Sequence, residues 1–159
     1  MPENYFYVYV LRLAHGKYYV GKTTNVKRRL VEHRTNKGAA FTREHRVLGT
    51  VPYRIHLCSN VFAENMYTIK YMSQFGIDNV RGGMWTRDTL TLHEREHIVR
   101  EIATATDRCY LCLGTGHMAA QCPKGKDSST PYKTVESGCR RCLCLSLISP
   151  IVKGVGETT

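Results

Sequence analysis

From residue 5 to residue 13 the chain reads Tyr-Phe-Tyr-Val-Tyr-Val-Leu-Arg-Leu, aromatic and β-branched almost throughout. That pattern predicts a strand. Ala14-His15-Gly16-Lys17 predicts a turn, and Tyr18-Tyr19-Val20-Gly21 the returning strand of a hairpin. Asn25 suits the N-cap of a helix over 26–34, in which Val26 and Leu30, four apart, share a face. Residues 36–48 are polar and basic and predict a loop. Residues 51–58 predict a third strand, with Val51, Tyr53, Ile55 and Leu57 on one face.

Helical spacing returns over 61–75, where Phe62, Met66, Ile69 and Met72 form the expected buried stripe and Gly76 the stop. Residues 77–84 predict extended chain. A third helix is expected over 91–106, opened by the Thr91-x-x-Glu94 capping box, with Leu92, Glu96, Val99 and Ala103 along one side. The composition then changes. Residues 109–122 concentrate cysteine and histidine, 123–137 hold Pro, Lys, Gly and Ser, and 138–159 carry three more cysteines and an apolar stretch, Leu145 to Val152. The elements together predict an α+β fold. Its organisation is a domain over 1–86, a connecting helix within 87–108, a small module at 109–123 and a flexible tail over 124–159.

Charge sharpens this picture. The formal net charge of the 159 residues is +10. Residues 1–58 hold 11 Lys/Arg against 3 Asp/Glu, whereas residues 59–108 hold 6 against 7. The excess thus lies on the tyrosine-rich hairpin and its helix, the footprint of a nucleic-acid binder. No apolar run reaches the ~18 residues that cross a bilayer. Met1-Pro2-Glu3-Asn4 lacks the basic-then-apolar pattern of a secretory signal. An intracellular, non-secreted protein with no membrane partner is expected, its compartment left open. The seven cysteines, an odd number, argue for metal binding over a disulfide framework.

Cutting a phosphodiester requires a deprotonated water, compensation of charge on phosphorus and stabilisation of the leaving oxygen. The hairpin and its helix carry groups suited to this. Alternation lets Tyr9 and Tyr19 project from one face. Arg29 and His33, four apart, share a helix face. Lys22 follows Gly21, where a phosphate can approach the backbone. Read as Tyr7-Val8-Tyr9, Tyr19-Val20-Gly21, Arg29 and His33, residues 5–84 resemble the GIY-YIG nuclease family, with Tyr7, Val8 and Val20 replacing the usual Gly, Ile and Ile.

The resemblance implies a three-stranded antiparallel sheet flanked by helices and a divalent-metal-dependent endonuclease. It implies a site made of Tyr9, Tyr19, Arg29, Glu64 and Asn79, with His33 matching a histidine of some members. Glu64 would bind Mg²⁺ or Mn²⁺. One phenol, helped by Lys22 or His33, would deprotonate water, and Arg29 would hold the phosphoryl charge. The products would carry a 5′-phosphate and a 3′-hydroxyl, and DNA is expected over RNA. Another alignment puts the metal position at Met66 or Tyr67, neither a carboxylate. On that alignment the domain binds nucleic acid without cutting it. The segment Asp78 to Gly83 resembles the end of such domains, and its paired glycines permit close approach to a ligand or to another strand.

Cys109-x2-Cys112-x4-His117-x4-Cys122 presents four zinc ligands within 14 residues. With every position filled by protein, the ion would be structural. The spacing resembles the retroviral-type zinc knuckle, which implies binding of single-stranded nucleic acid through Tyr110 and Met118, with Lys124 and Lys126 on phosphates. A knuckle used for protein contact is the other reading. His93-Glu94-Arg95-Glu96-His97 satisfies the zinc-protease pattern, but Glu94 already belongs to the capping box. Cys139, Cys142 and Cys144 make half a metal site or free thiols. Three classes follow: an endonuclease, a nucleic-acid binder without cleavage, and a protein-interaction adaptor.

Overall fold

The structure, a computed structural model, describes residues 5–124. Strands β1 (Phe6–Arg12) and β2 (Tyr18–Thr23) form the expected hairpin, with Tyr9 opposite Gly21 and Leu11 opposite Tyr19. Helix α1 (Val26–Arg34) starts where Asn25 predicts, since the Asn25 side chain accepts a hydrogen bond from the Arg28 amide. Then come α2 (Ala40–Glu44), β3 (Arg54–Cys58), α3 (Ala63–Phe75), β4 (Val80–Gly82) and α4 (Leu92–Ala105). The sheet order is β3-β1-β2-β4. The first three strands are antiparallel, and β4 runs parallel to β2. This is the expected α+β class, with a fourth strand added to the three expected.

Strand alternation gives the sheet two apolar faces. Val8, Val10 and Val20 pack with Tyr71 and Met72 of α3, Val80, Trp85, and Ile98 and Ile102 of α4. Tyr9, Leu11, Leu13 and Tyr19 pack on the other face with Phe41 of α2 and Leu30 of α1. Two helical layers therefore enclose β1 and β2, which makes the hairpin the centre of the molecule. Thr91 and Glu94 form the expected reciprocal capping box at the start of α4.

Four local expectations are corrected. Residues 36–48 contain α2, whose Phe41 and Thr42 are buried; five helical residues are too few to display a period. In β3, Ile55 and Leu57 are exposed, because β3 is an edge strand and the helices on that face lie over the hairpin. In α3, Phe62 and Met66 are exposed, while Ala63, Thr68, Tyr71 and Met72 are buried. The buried Thr68 hydroxyl donates to the Glu64 carbonyl, so a polar residue sits at a core position without penalty. In α4, Ile98 and Ile102 join Val99 and Ala103 inside, and Leu92 is exposed.

Residues 77–84 hold a 3-10 turn at Ile77–Asn79 before β4. Of the glycine pair there, Gly82 serves strand contact and Gly83 makes room for Asn65 of α3. A Cβ on Gly82 would meet the Val20 carbonyl oxygen at 2.2 Å. Arg81 is buried, and its guanidinium donates to the carbonyls of Ile77, Val80, Arg87 and Asp88, which pins the connection to α4. Among the described residues no helix is long and apolar enough to cross a membrane. Lys126, the Cys139–Cys142–Cys144 group and the apolar stretch from Leu145 lie outside the described residues.

Candidate active site

Tyr9 and Tyr19 leave the sheet on the face covered by α1, with ring centroids 6.5 Å apart. Arg29 and His33 descend on them from one side of that helix. The Arg29 Nε–H donates to the Tyr9 oxygen at 3.1 Å, and the Tyr9 hydroxyl lies 2.8 Å from His33 Nε2. Gly21 makes room for this, since a Cβ there would sit 2.3 Å from the Tyr9 oxygen.

Thr42 of α2 fixes the direction of the chain of hydrogen bonds. Its single hydroxyl proton goes to the Ala39 carbonyl at 2.8 Å. Its oxygen lies 2.7 Å from His33 Nδ1 and must therefore accept from an Nδ1–H. Nε2 is then bare and accepts the Tyr9 proton. The order is Arg29 Nε–H to Tyr9 O–H to His33, and His33 Nδ1–H to Thr42. A Cβ on Gly38 would meet Nδ1 at 2.2 Å, so the turn before α2 also closes on the imidazole.

Burial sets the charge states. It raises the pKa of Tyr9 and, likewise, of Tyr19, so both are neutral phenols at neutral pH. Burial and the nearby Arg29 charge bring His33 down to about 4, so the imidazole is neutral. For Arg29 burial works against the charge, but hydrogen bonds to Glu32 and Tyr9 outweigh it and raise its pKa. Glu32 holds the Arg29 Nη1 at 2.7 Å and the Arg28 Nε at 3.4 Å.

Glu64 lies on the first turn of α3, half-buried. Burial raises its pKa, opposed by the Lys22 ammonium and the backbone amides of Lys22 and Gly83. The Lys22 Nζ is 4.0 Å away. Lys22, Arg28, Arg29 and Glu32 line an open cleft of about 790 Å³ with Phe6, Thr23, Thr24, Ser59 and Val61. Glu32, which lines the cleft, is engaged by Arg28 and Arg29, and Glu64 stands beside the lining residue Lys22. A single carboxylate such as Glu64 suits Mg²⁺ or Mn²⁺, which take one or two carboxylates and fill the remaining positions with water and phosphate oxygens. Asn79 is placed elsewhere. Its amide donates to the Phe75 carbonyl and accepts from Lys17, at the opposite end of β2. Glu32, Gly38 and Thr42 belong to the site yet carry no sequence signal, apart from the i,i+3 spacing of Arg29 and Glu32.

A second cluster lies beyond α4. The ligand atoms of Cys109, Cys112, His117 and Cys122 are all within 4.8 Å of one another. Cys112 Sγ is 3.2 Å from His117 Nε2 and accepts the Gly114 amide at 3.3 Å. A Cβ on Gly114 would press on Cys112 Sγ at 3.1 Å and the His117 ring at 3.2 Å, so the loop packs closely on two of the four side chains. Tyr110 and Met118 are exposed beside it, with Arg100 of α4 against the Tyr110 ring. Lys124 is exposed. The His93–His97 pattern gathers no metal cluster among the described residues, and Glu94 is held by the Thr91 amide and hydroxyl.

The family described as the GIY-YIG catalytic domain matches residues 5–67. A UPF0213 protein of Bacillus pumilus is 31% identical over 104 residues, covering 65% of this chain and 93% of the relative. A UPF0213 protein of Cupriavidus pinatubonensis is 43% identical over 54 residues, covering 32% of this chain. One of Streptococcus pneumoniae is 51% identical over 37 residues, covering 23%. The chain spans 60% of the length of the Cupriavidus protein and 37% of the Streptococcus protein. No solved structure matches. Sequence, matched span and fold agree: residues 5–67 form a GIY-YIG catalytic domain, and the chain belongs with the UPF0213 proteins.

Proposed function

We propose that this chain is a divalent-metal-dependent endonuclease, acting on DNA in preference to RNA, with a zinc knuckle that binds single-stranded nucleic acid. The carrying observation is the one-way hydrogen-bond chain from Arg29 through Tyr9 to His33, beside a cleft lined by Lys22, Arg28 and Arg29, with Glu64 4.0 Å from the Lys22 ammonium. Tyr9 is a neutral phenol and cannot by itself take a proton. It can do so while handing its own to His33 Nε2. The water O–H bond breaks, a new Tyr9 O–H forms, and the former Tyr9 proton ends on the imidazole. Hydroxide attacks phosphorus, the bond to the 3′ oxygen breaks, and that oxygen takes a proton from solvent. Arg29 and Lys22 face the charge that gathers on the phosphoryl oxygens. Tyr19 flanks Tyr9 and His33 as the second phenol. Glu64 would hold the Mg²⁺ or Mn²⁺, which supplies Lewis-acid stabilisation of the leaving oxygen.

The four donors at Cys109, Cys112, His117 and Cys122 suit a structural Zn²⁺. Tyr110 and Met118 would meet bases, and Lys124 and Lys126 phosphates. A second reading, binding without cleavage, draws on the Lys22 ammonium, a cation already 4.0 Å from Glu64 where a metal would compete with it. Zinc-loaded protein should be incubated with supercoiled plasmid and with branched or single-stranded oligonucleotides, with and without Mg²⁺ or Mn²⁺. Metal-dependent nicking that is lost in Arg29→Ala and Glu64→Ala is the expected result. Retarded but intact substrate would favour the second reading, and no salt-dependent binding at all would exclude both.

A further inference from the structure

The cleft beside Arg29 is not lined by charge alone. Phe6 and Val61 contribute apolar surface next to Lys22, Arg28 and Arg29, and the Lys22 ammonium sits over the Phe6 ring at 5.8 Å. Val61 is 67% exposed, and its neighbour Phe62 is 68% exposed. Neither belongs to the core. Phe62 also occupies the N-cap position of α3, where Ser, Thr, Asp or Asn would serve the helix better, and its side chain makes no capping bond. Asn60 does that work: its side chain accepts from the Phe62 amide at 2.9 Å, and its carbonyl from the Ala63 amide at 2.9 Å. The loop is therefore fixed in shape while it presents a valine and a phenylalanine to solvent. Val61 lines the cleft and Phe62 follows it in the chain, so exposed apolar surface adjoins the lysine and arginines there, an arrangement that suits a ligand with both phosphate and an apolar face.

We propose that this cleft seats an unpaired nucleobase next to the phosphate to be cut, packed against Phe6 and Val61, with the adjoining exposed Phe62 extending that apolar surface. The inference rests on the nucleic-acid reading above and narrows it. Every base has an apolar face that stacks on an aromatic ring, while the attached phosphate lies within reach of cations. In an intact duplex both faces are already covered by neighbouring base pairs. At a flap, junction or single strand a face is available. The substrate class is thus nucleic acid with an unpaired base flanking the cleavage position.

The test measures binding of the full zinc-loaded chain, without added Mg²⁺ or Mn²⁺, by fluorescence anisotropy over a range of salt. Probes are a perfect duplex, a flapped duplex and a single strand. A double variant, Val61→Ser with Phe62→Ser, removes two exposed side chains and leaves the core intact; Leu92→Ser is the control for an exposed apolar residue elsewhere. The double variant is expected to bind flap and single strand about tenfold more weakly. Duplex binding should be unchanged, as should the salt slope on every probe, because no charge is altered. A second variant, Phe62→Trp, reports stacking directly. The native chain has one tryptophan, the buried Trp85, so new quenching on the flap but not the duplex is expected. Equal affinities for all probes without quenching overturn the inference while leaving nucleic-acid binding intact. A change in solution mass of the double variant with unchanged affinity also overturns it, by making the tip a contact between copies. Failure of the unaltered chain to bind any probe removes both readings.

Discussion

The hairpin site and the cysteine cluster are built on opposite plans. Tyr9, Tyr19, His33, Thr42 and Glu64 come from five elements, and each is placed by the packing of the layer beneath it. Cys109, Cys112, His117 and Cys122 come from 14 consecutive residues with little beneath them except the end of α4. The first site is rigid because the hairpin is enclosed on both faces, and the second would be rigid only when an ion closes it. The difference teaches that two sites in one chain can have independent sources of order, and that each can be broken without the other.

The largest expected effect follows from that independence. Chelation, or Cys112→Ser, should unfold residues 109–122, since structural zinc supplies roughly 10–16 kcal/mol to such modules. Amide chemical shifts of that segment should collapse, while those of the hairpin and α1 stay in place. A general loss of dispersion would show that the two regions are one cooperative unit. The converse break is Gly21→Ala. Its Cβ cannot coexist with the Tyr9 oxygen at 2.3 Å, so the ring must move. Overpacking of this kind costs about 1–3 kcal/mol. The melting temperature of the domain should fall, cleavage should vanish, and zinc stoichiometry should be unchanged.

A subtler change sharpens the point within the hairpin site. Thr42→Val keeps the shape and removes the acceptor of His33 Nδ1–H. The imidazole is then free to carry its proton on Nε2, where it blocks the Tyr9 transfer. Turnover should drop by about a hundredfold with KM little altered, and Thr42→Ser should restore it. Nitrogen chemical shifts of the His33 ring read the tautomer without any need for activity, and an unchanged ring would sink this role for Thr42.

The smallest effect concerns pH. His33 titrates near 6.5 when unfolded and at about 4 in place. Between those values the unfolded chain binds more protons, so the contribution to stability is complete above 6.5, declines as pH falls, and is gone below 4. Cleavage should hold through pH 6 and fail only towards 4, when Nε2 becomes protonated. An acid limb near 6.5 in the rate profile would contradict the buried neutral state. The same limb in Cys112→Ser would place it in the hairpin site rather than the cluster.

The parts that were legible in the sequence share a cause. The hairpin, α1 with its Asn25 cap, the capping box at Thr91 and the Cys-Cys-His-Cys spacing all depend on neighbours within a few residues. Periodicity and spacing report such neighbours directly. The juxtaposition of Tyr9 with His33 could be inferred because one alternation and one helical period carry it. Thr42 escaped notice because α2 is five residues long and its one informative contact is to another element. Phe62 read as core because helical spacing marks a stripe without saying which way the stripe faces.

The sequence by itself determined the hairpin, the third strand, the three longer helices, the basic half of the chain and the donor set at 109–122, because those are set by local backbone preference and by short spacing. Only the tertiary structure decided that Thr42 orients His33, that Lys22 approaches Glu64, that Asn79 braces the far end of β2, and that Val61 and Phe62 stand in water. Each of those outcomes depends on how two apolar layers close over the hairpin, and packing between distant segments leaves no period along the chain for a reader to find.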